Sequence, residues 1–75
     1  MSKGNSLQYA ADQDRIEQVV DSWNVETVLL MLETVCYEKA EHLRTNWQDP
    51  TTAKQWERCA ARIARCAHAI DKIEP

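Results

Sequence analysis

Apolar residues recur at helical intervals along most of the chain. Ile16, Val19, Val20 and Trp23 follow the i, i+3, i+4, i+7 rule that gathers side chains on one face of a helix. Asp12 and Asp14 suit a first turn, where acids complement the helix dipole, so a first helix is expected over about 11–23. Asn24 is the expected N-cap of a second helix over 25–47, because its side chain can accept from an orphan first-turn amide. Val25, Val28, Leu29, Leu32, Val35, Cys36, Ala40, Leu43 and Trp47 make its apolar stripe. Leu30, Met31 and Tyr37 fall outside that stripe and predict a second buried face, covered by the first helix or by another chain. Asp49 and Pro50 read as the N-cap and first residue of a third helix over 50–73. There Ala53, Trp56, Ala60, Ile63, Ala67 and Ile70 step by 3, 4, 3, 4 and 3, the spacing of a coiled-coil seam. Cys59, Ala64, Cys66 and Ile73 widen that seam, and its alanines permit close helix approach.

A short link between two long helices makes them antiparallel neighbours. The expected fold is therefore all-α: a long antiparallel helical hairpin, a shorter N-terminal helix, and assembly into a homodimeric helical bundle. Residues 1–6 read as a flexible polar tail and residues 7–75 as one helical domain. One Gly, at position 4, and Pro only at 50 and 75 leave the helices without internal breakers. A chain of 75 residues has a marginal core of its own, which adds to the expectation of a partner.

A net charge of −3 and an isoelectric point near 5.2 weigh against non-specific nucleic-acid binding. Three cysteines do not make a paired framework and suggest a reducing, cytoplasmic setting. Met1 to Ser6 lacks the apolar core of a signal peptide, and the longest apolar run, Val28 to Leu32, is far too short for a membrane span. No zinc spacing is present, and Glu38 with His42, at i, i+4, is the nearest approach to a metal pair. Cys36, Cys59 and Cys66 occupy expected core positions, where free Cys behaves as a small hydrophobe rather than a nucleophile. No cofactor, metal site or enzymatic activity is expected.

The remaining features point to binding. Lys54, Arg58, Arg62 and Arg65 share one face of the third helix, while Asp12, Asp14, Glu17 and Asp21 make the first helix acidic. A hairpin turning near Gln48 would bring Arg58 level with Glu38, and Arg62 level with Glu33 or Thr34. Pairing within or between chains is thus expected, with an acidic partner or nucleic acid as the alternative use of the basic face. Trp47 and Trp56 flank the turn and can pack together to close it. Trp23, at the junction of the first two helices, joins Leu30 and Met31 as candidate partner-binding apolar residues.

Residues 35–67 carry Glu38-Lys39-Ala40-Glu41-His42, Asn46-Trp47-Gln48-Asp49 and Ala53-Lys54 followed by Trp56-Glu57. This stretch, under half of the chain, resembles part of small uncharacterised helical proteins of bacteria and their phages. The resemblance implies no particular activity. It makes a phage origin plausible and, by analogy, a role in binding and modulating a host enzyme. The leading expectation is a small non-enzymatic, homo-oligomeric protein-interaction module.

Overall fold

The computed structural model describes residues 6–73. They form three helices, α1 (Ser6–Ser22), α2 (Val25–Asn46) and α3 (Pro50–Asp71). The expected tail lies outside the described residues except for Ser6, which is helical. α1 begins a full turn earlier than its acids suggest. Nothing between Ser6 and Ser22 breaks a helix, and Leu7, Gln8, Ala10 and Ala11 are good helix formers. Asp12 consequently sits inside the helix, accepting from Gln8 Nε2 at 3.0 Å and from Arg15 Nη1 at 3.0 Å.

Both expected caps form. The Asn24 side chain accepts from the Thr27 amide at 2.7 Å, and the Asp49 carboxylate accepts from the Thr52 amide at 3.1 Å. Pro50 opens α3, where a missing amide hydrogen costs nothing. Trp47, Gln48 and Asp49 make the turn between α2 and α3. The Asp49 amide donates to the Leu43 carbonyl at 3.0 Å, which already accepts from the Trp47 amide at 3.2 Å, so this one acceptor ties the turn to the end of α2. Gln48 takes a left-handed φ of 49° to allow this, a conformation that Gly adopts without the Cβ penalty. Gln48→Gly is therefore expected to stabilise the hairpin by roughly 0.5–1 kcal/mol. In a domain this small that is a rise of a few degrees in Tm, readable by thermal circular dichroism; an unchanged or lower Tm would mean the turn is not strained.

α2 and α3 pack as an antiparallel hairpin, and its core is made of small residues. Cys36 and Ala40 from α2 meet Ala53, Ala60 and Ala67 from α3, and these five are the buried hydrophobic residues. The alanines recur every seventh residue, so the helix backbones approach closely along one seam. Trp56, Ile63 and Ile70, the large members of the same heptad pattern, stay half-buried at its margin. Several expected core positions are instead solvent-exposed: Val25, Leu32, Val35 and Trp47 of the α2 stripe, and Cys59, Cys66 and Ile73 of the widened α3 seam. The reason is geometric. Two helices in contact through alanine have room between them for one narrow row, and the flanking positions fan outward.

α1 meets α2 near their junction and does not touch α3. It has no buried residue. The result is a flat molecule of 40 × 34 × 17 Å with a radius of gyration of 14.6 Å, against about 11 Å for a compact chain of this length. Among the described residues no helix is long and apolar enough to cross a membrane.

Candidate interaction surfaces

The first surface is a groove of about 350 Å³ between α1 and α2. Ile16 and Val19 line it from α1, and Val28, Met31, Leu32 and Val35 line it from α2, with Arg15 at its edge. The helix repeat puts Val28, Met31, Leu32 and Val35 on one side of α2, beside the face that packs on α3. Ile16 is 59 % exposed and Leu32 is 45 % exposed, so the groove is open rather than filled. Of the expected second buried face of α2 only Met31 lines this groove, the rest of whose α2 wall comes from the expected main stripe, and no residue of that second face is buried. Met31 borders the groove, while Leu30 and Tyr37 are exposed elsewhere on the helix. Trp23 is 61 % exposed at the junction.

The second surface is the basic face of α3. Lys54, Arg58, Arg62 and Arg65 are all exposed. Arg58, Arg62 and Arg65 border a shallow hollow also lined by Cys59, Ala61 and Ile63. None of these arginines forms a salt bridge with a described residue. The cross-helix ion pair is Arg44 with Glu57, so the expected links from Arg58 to Glu38 and from Arg62 to Glu33 do not form. That pair shows why: the helices meet in a register later than a turn centred on Gln48 would give, which moves Arg58 and Arg62 away from those acids.

The third feature is the turn. The Trp47 indole N–H donates to His42 Nε2 at 3.1 Å, and the Asn46 amide lies 2.7 Å from His42 Nδ1. An indole can only donate, so Nε2 is the accepting nitrogen, and the other ring nitrogen, Nδ1, is taken up by the Asn46 side-chain amide. This leaves neither ring nitrogen free as a metal ligand. Among the described residues no group of three or more His, Cys, Asp or Glu side chains is placed to hold a metal ion. Trp47 lies against its own helix end and is 69 % exposed, so the turn is not closed by a buried Trp47–Trp56 contact.

Two carboxylates at this end titrate with folding. Hydrogen bonds from the Thr52 side chain and then its amide hold the Asp49 carboxyl below its usual range. Glu57 is lowered chiefly by its hydrogen bond to Arg44, whose own value is raised by the same contact. A depressed folded pKa contributes stability above the unfolded value, and that contribution is lost as pH falls through the folded one. Tm is expected to fall as pH drops below about 4. Asp49→Asn keeps the capping acceptor but removes one titration, so its acid sensitivity should be smaller. Equal Tm profiles for the two proteins between neutral pH and pH 2.5 would show that the cap carries no such linkage.

Ile16, Val19, Leu32 and Val35 were not singled out by sequence reasoning as surface residues, since their spacing marks an apolar face and cannot say what covers it. The same holds for the two exposed cysteines. No protein-family model, curated protein or solved structure matches this chain.

Proposed function

We propose that this chain is a small non-enzymatic interaction module that works as a homodimer. One observation carries the reading: among the described residues no large side chain is fully buried. Of these residues Ile16, Trp23, Leu32 and Val35 stay 44–61 % exposed, apolar surface of the kind an interface covers. An isolated helix the length of α1 is marginal in water, so a helix with no buried residue needs a surface to rest on. A twofold dimer supplies that surface with sequence already present in the chain.

Light scattering coupled to size exclusion at micromolar concentration tests this directly. The expected mass is twice 8.7 kDa. A mass of one chain, unchanged on concentration, would overturn the proposal. The unpaired arginines of α3 favour a second reading, in which this face recognises an acidic surface on another protein, as a modulator of a cellular enzyme would. That reading predicts a monomer whose complex with the enzyme weakens with salt.

A further inference from the structure

α1 and α3 carry matching stripes of unpaired charge. On α1, Asp14, Glu17 and Asp21 step by 3 and 4, which keeps them within about 60° of one another around the helix. On α3, Arg58, Arg62 and Arg65 step by 4 and 3 and are confined in the same way. Each stripe spans seven residue steps, about 10.5 Å of helix. All six side chains are exposed, and none forms a salt bridge with a described residue. The ion pair of α1 is made elsewhere on the helix, between Arg15 and Asp12. Like charges three and four residues apart repel within each helix, a cost that an opposed stripe of the other sign reverses. The two stripes cannot meet within this fold, because α1 and α3 of one chain do not touch.

We infer that α1 of one copy docks along α3 of a second copy, with Asp14, Glu17 and Asp21 facing Arg58, Arg62 and Arg65 and the contact made twice about a twofold axis. This rests on the self-association proposed above and specifies how it is built. The second copy is the occupant because it brings the same number of charges, of opposite sign, over the same span. Cys59 lies in the hollow bordered by the three arginines and is covered by the docked helix, while Cys36 is buried already in one chain.

The test uses two variants of the full chain: Asp14→Arg with Glu17→Arg and Asp21→Arg, and Arg58→Glu with Arg62→Glu and Arg65→Glu. Each alone is expected to dissociate at least roughly tenfold more readily than the wild type, since every attraction becomes a repulsion. Mixed together, the two are expected to form a one-to-one heterodimer, because both reciprocal contacts are then opposite in sign. Recovery in the mixture also shows that neither variant is merely unfolded. In the wild type, Cys59 should react with a thiol reagent more slowly as protein concentration rises. Variants that both dimerise as the wild type does would overturn the docking while leaving self-association intact, as would a mixture that fails to recover. A single chain carrying all six substitutions that is folded and monomeric, beside a dimeric wild type, would overturn it too. A monomeric wild type that instead shifts a DNA duplex at low salt would overturn both the docking and the homodimer.

Discussion

Ala60→Leu is expected to lower stability by about 3 kcal/mol, near the upper end of what overpacking costs. Ala60 has no exposed surface and lies at the middle of the alanine row, between Ala53 and Ala67. A leucine there has no unfilled space to enter, so it either adopts a strained rotamer or pushes the helices apart. Separation would uncover Cys36 and Ala40 on the facing helix and weaken the packing of half-buried Leu43 and Trp56. For a domain of this size such a loss lowers Tm by more than ten degrees, or about 4–8 °C for each kcal/mol. Ala69→Leu is the control, exposed on the same helix and outside the hollow bordered by the arginines, where the same change should stay within about 0.5 kcal/mol. Thermal melts at one fixed protein concentration compare the two. Equal Tm values would show that the seam is not closely packed and that the hairpin is held by other contacts.

Leu32→Glu should have its largest effect on assembly rather than on the hairpin. Leu32 is nearly half exposed in the single chain and lines the open groove between α1 and α2. Leu32 is already about half covered, so completing its burial contributes on the order of 1 kcal/mol, and a twofold interface uses the residue twice. Replacing it with a carboxylate removes that gain and adds the cost of desolvating a charge. The dissociation constant is expected to rise by about one to two orders of magnitude, since each 1.4 kcal/mol is a factor of ten. Sedimentation equilibrium measures the change. Far-ultraviolet circular dichroism should also show a partial loss of helix, because α1 would be left without a covering surface. A dimer of unchanged affinity would place the interface away from this groove.

The helices, their caps and the direction of the hairpin could be read from the chain because each depends on neighbours in sequence. Asn24 and Asp49 have their capping partners three residues on, and Pro50 fixes its own φ. The heptad spacing of Ala53, Ala60 and Ala67 marks a seam wherever the partner helix happens to be. The start of α1 was less legible, since two acids suit a first turn but also serve inside a helix when Gln8 and Arg15 are within reach.

Burial was decided by the tertiary structure. Leu32, Val35, Cys59 and Cys66 have the periodicity of core residues, and periodicity states only that a face is apolar. Whether that face is covered depends on how closely α2 and α3 approach and on where α1 lies, and the small alanines fix the first of these. Helix register, set beyond the turn and marked by Arg44 and Glu57, decided that Arg58 and Arg62 would find no acid within the hairpin. The sequence by itself determined three amphipathic helices, two caps and the charges each helix carries, because local spacing and backbone chemistry suffice for these. Only the tertiary structure decided that Cys36 and the alanine seam are the buried core of the described residues and that the apolar groove and both charge stripes remain open, because coverage is a property of the space between elements.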